Sequence, residues 1–236
     1  MRIIGILGGM SWVSTAHYYA TLNRMVAKRM GGMHSARILL HSVDFAPITQ
    51  MQKDNDWQGT AAALVEAAQG LERAGAGLIV IATNTMHLVA DQVAAAVDLP
   101  LIHIADATAA AISAAGLRRP GLIATAYTME KRFYLERLEA AGLQPVIPEA
   151  ADRAEIHRII FDELIHDKVT DASRRRYEDI AARLIDQGAD CIIFGCTEVG
   201  LLLNASNVPA PVFDTVEIHC QAALDAASFE TGEKYV

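Results

Sequence analysis

The chain lacks any apolar run of membrane length: although 52% of its 236 residues are hydrophobic, no stretch approaches the roughly 18 to 20 uninterrupted apolar positions that a bilayer-spanning helix needs. A membrane span is excluded. Cysteine is scarce as well. Cys191, Cys196 and Cys220 are too few and too irregularly spaced for a disulfide framework, and no CxxC pair offers a zinc knuckle. Free thiols in a reducing compartment are expected. The N-terminal MRIIGILGGMSW is cut by glycines and has neither a basic leader nor a small-residue cleavage site, so it reads as a first buried strand and points to the cytoplasm. Positive charge is the minority: 20 basic residues face 28 acidic ones for a net charge of −8, and the single basic cluster, Arg174 to Arg176, sits in a helix of mixed sign. A nucleic-acid partner normally needs a basic face and is excluded on that ground. The dinucleotide fingerprint is also missing, because the first glycines stand at 5, 8 and 9 and Arg37 to Val43 holds no acidic ribose partner. With no metal or pyridoxal phosphate motif either, the expectation is an activity without cofactor.

What the chain does have is a repeat. GAGLIVIATNTMHL (Gly75 to Leu88) and GADCIIFGCTEVGL (Gly188 to Leu201) agree in kind at most positions without a gap, at a constant offset of 113 residues, and Thr83 falls on Cys196. Superimposing IGILGGMS on PGLIATAY pairs Gly9 with Thr125 and Met10 with Ala126, so the duplication reaches the first strand and turn of each half. Repeats come first in a reading of this kind, since missing one mis-assigns the whole fold.

Each half reads as strands alternating with helices. In the first half, strands are expected at Arg2 to Leu7, Arg37 to Val43 and Leu78 to Ala82, with helices from Trp12, over Thr60 to Gly75, and from an Asn84 cap to Val97. Between them Asp44 to Asp56 reads as a long polar loop. In the second half, strands are expected at Pro100 to Ile104, Gly121 to Ala124, Cys191 to Phe194 and Val208 to Phe213. The helices there are Thr108 to Ala115, Lys131 to Ala141, Asp152 to Ile165 and Ala172 to Gln187, and a last helix, Val216 to Phe229, folds back on the first half. Such a pattern gives an α/β fold of two pseudo-symmetric parallel-sheet domains, residues 1–98 plus 212–236 and residues 99–211. Ligands bind such sheets beyond the carboxyl ends of the strands, where Gly8, Gly9, Thr83, Thr125 and Cys196 all fall. The active site is expected in the cleft between the domains. Gly8 and Gly9 are expected to let backbone N–H groups approach a small anion at a helix N-terminus.

GILGGMSWVST followed by YY, then ATNTMH, then GCTE, resembles the aspartate/glutamate racemase family over essentially the whole chain and in the right order. The resemblance implies a homodimeric, cofactor-independent racemase that interconverts L- and D-aspartate or glutamate by removing the α-proton on one face and returning one on the other, two thiols flanking the substrate α-carbon in the two-cysteine members. It assigns catalysis to Cys196 and to Thr83, which stands where two-cysteine members have their first thiol and matches a Thr/Cys subgroup acting on L-aspartate and L-glutamate. It further assigns the α-carboxylate and amino group of the substrate to the backbone around Met10 and to Asn84, Thr85, Thr125 and Thr197, and its side-chain carboxylate to Gln52 and Lys168. No metal ligand is assigned. Gln52 replaces an arginine of the strict aspartate enzymes, which gives up a bidentate ion pair and relaxes selectivity. Free thiols ionise near pH about 8.5 and lower beside a helix N-terminus, so Cys196 is expected as a thiolate base; His87 is the candidate proton relay for Thr83, but its preferred reading is a helix-surface residue bonded to backbone. The single thiol also keeps open a decarboxylase or a maleate-type isomerase of the same fold, and a non-catalytic amino-acid sensor is the alternative from another class.

Overall fold

The computed structural model describes residues 1–228; the predicted helix end at Phe229 and the tail assigned to the first domain lie outside the described residues. Two compact units form. Among the described residues, the first holds Met1–Ala82, Val89–His103 and those from His219 to Ser228, and the second holds Thr83–Leu88 and Ile104–Ile218. Among the described residues, no helix is long and apolar enough to cross a membrane.

In the first unit, β1 (Ile4–Gly8) leads into α1 (Trp12–Met30), and β2 (Ile38–Ser42) into α2 (Phe45–Lys53) and α3 (Trp57–Arg73). There follow β3 (Leu78–Ile81), a 3-10 turn (Thr85–Val89), α4 (Ala90–Ala95) and β4 (Leu101–Ile102). The strands form one parallel sheet in the order β2-β1-β3-β4. Every residue of β1 and β3 is buried, as a parallel sheet covered on both faces requires. Two expectations change here. The segment after Asp44 is a helix, because the Asp44 carboxylate accepts from the Ala46 N–H and caps it, while Ile48 and Gln52, one turn apart, are both buried. The strand expected at Pro100 to Ile104 is two residues long and pairs with β3, so it completes the first sheet and does not start the second.

Gly9 shows why the turn after β1 needs glycine. Its φ is +91°, and a Cβ there would collide with the Val43 backbone where the chain leaves β2. Its N–H donates to Thr15 Oγ1 at 2.8 Å. That donor is spent inside the fold, so close backbone packing replaces the anion-cradle reading of this glycine.

The second unit contains α5 (Ile104–Ala114), β5 (Pro120–Ile123), α6 (Ala126–Glu130), α7 (Arg132–Ala140) and α8 (Ala150–Asp162). These are followed by α9 (Asp171–Asp186), β6 (Cys191–Phe194), β7 (Val212–Asp214) and α10 (Thr215–Ala227), whose later residues belong to the first unit. The sheet order is β5-β6-β7, all parallel. A single bridge joins Gly121 to Val146, where Val146 accepts from the Leu122 N–H and donates to the Pro120 carbonyl. Val146 thus occupies the place that β2 holds in the first sheet. It was not legible as a strand because Pro145 and Pro148 bracket it.

The repeat is visible down to single hydrogen bonds. β3 and β6 span equivalent positions, each entered through a left-handed glycine, Gly75 at φ +92° and Gly188 at φ +93°. In both, the glycine N–H closes on the residue three back, Glu72 or Ile185, and the following alanine N–H closes on Leu71 or Leu184. This is the Schellman ending of α3 and of α9. The division between halves differs from the one drawn on the repeat. β7 pairs with β6 in the second sheet, and the structural division falls at Ile218, after the first turn of α10.

Helix α10 is held to the first unit by a buried polar chain. His219, fully buried, donates from Nε2 to the Ile102 carbonyl at 2.7 Å and accepts from the Tyr18 hydroxyl at Nδ1, 2.8 Å away. Both ring nitrogens are used only by the neutral ring, and burial pushes its pKa down from 6.5 to about 4. An unfolded chain therefore takes up a proton at His219 below pH 6.5 that the folded chain refuses until about pH 4. Stability is full above that window and falls through it as pH drops, by about 3 kcal/mol for this group alone. Urea unfolding of wild type and His219→Gln from pH 7.5 to 4.5 checks this. The stability difference between them is expected to shrink steadily as pH falls, and a pH-independent difference rules the linkage out.

Candidate active site

Thr83 follows β3 by two residues, is partly exposed, and its hydroxyl has no hydrogen-bond partner among the described residues. Its carbonyl accepts from His87 Nδ1 at 2.8 Å, and His87 Nε2 accepts from the Ile104 N–H at 3.2 Å. Both nitrogens of the ring therefore face backbone groups, which favours the backbone-bonded reading of His87 over the relay, although the ring is buried and not on the helix surface. Asn84 does not cap a long helix either. The turn behind it is 3-10 and α4 begins only at Ala90, while its Nδ2 donates 3.0 Å to Thr215 Oγ1. Its Oδ1 is buried with no hydrogen-bond partner among the described residues.

Thr85 and Thr125 come together with a residue that the sequence reading missed. The Thr85 hydroxyl lies 2.9 Å from Thr125 Oγ1 and 3.2 Å from Thr128 Oγ1, and the last two are 3.1 Å apart. All three are buried. Thr125 also caps α6 by accepting from the Thr128 N–H. The available signal for Thr128 was its spacing, the third residue after an N-cap threonine.

Cys196 follows β6 by two residues and is partly buried. Its thiol donates to Glu198 Oε2 at 3.0 Å, and the Thr197 hydroxyl donates to the same oxygen. Burial, and next the Glu198 carboxylate, push the thiol well above its ordinary range. The expected thiolate is thus corrected to a resting thiol. Only a three-residue 3-10 turn, Val199–Leu201, follows it, too short to supply the helix field that lowers a thiol pKa. Cys191 is fully buried and pushed up to about 12, chiefly by burial and then by Asp190. Cys220 is fully buried too.

Met10 and Gln52 are buried in the first unit, after β1 and on α2. Lys168 is exposed before α9 and lines a cavity of about 220 Å³ with Glu155, Arg158, Glu163, Thr170 and Arg176. It makes no hydrogen bond to the threonine and cysteine groups above. Among the described residues, no group of three or more His, Cys, Asp or Glu is placed to hold a metal ion.

The family model for Asp/Glu/Hydantoin racemase matches residues 7–223. The chain belongs to that family. It is an isomerase of the amino-acid racemase kind. A candidate Asp/Glu racemase from Yersinia pestis is 49% identical with a TM-score of 0.90, the match covering 96% of this chain and 99% of that one. An aspartate racemase homologue from Pyrococcus horikoshii OT3 is 34% identical, with a TM-score of 0.84 over the same shares. The broad specificity amino-acid racemase RacX of Bacillus subtilis is 25% identical over 218 residues, 90% of this chain and 92% of that protein. Parallel α/β sheets in two units therefore belong to a racemase, as the motifs implied.

In this racemase the Glu198 carboxylate disfavours ionisation of Cys196, so Glu198→Gln is expected to lower the pH at which the thiol ionises. Iodoacetamide labelling of Cys196, followed by peptide mass spectrometry from pH 6 to 10, should show the variant alkylated faster at pH 7.5 and its midpoint moved to lower pH. An unmoved midpoint means that Glu198 does not hold the proton.

Proposed function

We propose that this racemase interconverts the L and D forms of an acidic amino acid, aspartate or glutamate, by two-base transfer of the α-proton without a cofactor. Cys196 serves one face of the α-carbon and Thr83 the other. The observation that carries the reading is the thiol of Cys196 just beyond β6, hydrogen-bonded to the Glu198 carboxylate. That pair supplies a proton to a carbanion and has a place to put one: when Cys196 must act as base, Glu198 Oε2 accepts the thiol proton across the existing 3.0 Å hydrogen bond. The thiolate left behind takes the α-hydrogen and is a thiol again, the Thr83 hydroxyl gives its proton to the opposite face of the carbanion, and Glu198 releases the proton it accepted to solvent, from which Thr83 is reprotonated.

Thr83 is the weaker partner. An alcohol is a far poorer base than a thiolate near neutral pH, and the Thr83 hydroxyl has no base beside it among the described residues. The face served by Thr83 is therefore the slow one. The two enantiomers differ in kcat and KM, while the equilibrium constant between them remains one.

The backbone around Met10 and the side chains of Asn84, Thr85, Thr125 and Thr197 are assigned to the α-carboxylate and α-amino groups, and Gln52 and Lys168 to the side-chain carboxylate, all on the family resemblance. That resemblance also supports a homodimer, and three free cysteines support the cytoplasm.

Incubation with L-aspartate or L-glutamate in D2O tests the proposal. Wild type is expected to introduce α-deuterium with loss of optical rotation, and Cys196→Ala to slow exchange by roughly a hundredfold to ten-thousandfold. Binding without exchange would make the chain a sensor. Release of CO2 from an arylmalonate without exchange of either amino acid would make it a one-thiol decarboxylase.

A further inference from the structure

Thr215 is fully buried and lies 131 residues from Asn84 in sequence. Its hydroxyl has one proton, and that proton goes to the Phe194 carbonyl at 2.8 Å. Toward Asn84 the same oxygen can only accept, so the group facing it at 3.0 Å is the amide nitrogen Nδ2. The orientation of a side-chain amide is normally a choice between two near-equal shapes. Here it is decided by where the Thr215 proton goes.

One consequence is the buried Oδ1 of Asn84, on the other side of the amide, which no described donor satisfies. A buried acceptor without a donor is costly, and most such atoms find a partner. The partner it selects must donate. On an acidic amino acid the only strong donor is the α-ammonium, with three N–H groups and no acceptor, while either carboxylate would be repelled by an amide oxygen.

We infer that Thr215 is a positioning residue for substrate recognition: by accepting from Asn84 Nδ2 it holds Asn84 Oδ1 toward the α-ammonium of the substrate. The inference rests on the acidic amino-acid reading above. The same hydroxyl couples recognition to chemistry, because Asn84 adjoins Thr83 and the Phe194 carbonyl lies two residues before Cys196. A methyl in place of that hydroxyl leaves Nδ2 without its acceptor and removes the bias on the amide.

The test compares an amino acid with its deamino analogue, which keeps both carboxylates and lacks only the ammonium. Equilibrium dialysis of the full chain with racemic DL-aspartate against succinate, and DL-glutamate against glutarate, is unaffected by turnover because the mixture is already at equilibrium. Wild type is expected to prefer the amino acid. Thr215→Val is expected to lose about tenfold or more in affinity for the amino acid with succinate or glutarate unchanged, and Thr215→Ser to restore the wild-type preference. KM for racemisation should follow the same order. If Thr215→Val does not fold, Thr215→Ala carries the comparison, with binding of the deamino analogue as the check that its site is intact. Equal losses for both ligands, or an unchanged preference in Thr215→Val, overturn the inference while the racemase reading stands. Failure of wild type to bind either amino acid overturns both.

Discussion

Parallel strands buried on both faces leave the chain one place to become irregular, and that constraint organises this protein. β3 and β6 are four residues each with every residue buried, so the polypeptide cannot carry polar side chains along them. At their carboxyl ends it must leave the sheet in short 3-10 turns. There the backbone loses its ladder partners while still in a dry setting, and each polar group has to be met by another nearby. The threonine hydroxyls at 85, 125 and 128 meet one another in this way, and the Asn84 Nδ2 separately meets the Thr215 hydroxyl. A site rich in small hydroxyl side chains thus arises from the same requirement that makes the strands apolar.

The dry setting also explains the protonation states. His219 is neutral because both its nitrogens are needed in fixed roles and burial penalises charge. His87 is spent on the backbone in the same manner. Cys196 stays a thiol because its surroundings add a carboxylate to burial. This resting state is compatible with the two-base mechanism proposed above, in which one of the two groups at the α-carbon holds a proton while the other takes one.

The extent to which the chain could be read in advance follows from the range of the interactions. Hydrophobic runs and glycines act locally, so β1, β3, β5 and β6, the helices α1, α3 and α9, and the repeat that relates the halves were all legible. The turn threonine and cysteine, Thr83 and Cys196, were legible for the same reason, as the first polar positions beyond a buried run. Helix α2 was misread as a loop because its apolar face is only Ile48 with the amphipathic Gln52, too little periodicity against a polar background. The Val146 bridge was hidden by prolines, and Thr128 by the absence of any chemistry of its own.

Local pattern by itself determined the strand order of events, the doubled α/β architecture, the candidate thiol and the membership of a racemase family, because each depends on residues close together in sequence. Only the tertiary structure decided the roles of groups whose partners are distant. It brought Thr215 to Asn84, so that a hydroxyl 131 residues away sets the direction of an amide. It spent the Gly9 N–H on Thr15 and the His87 ring on backbone groups, and it set the Glu198 carboxylate against the Cys196 thiol. Protonation and hydrogen-bond direction depend on the full set of neighbours in space, and a sequence specifies that set only once it is folded.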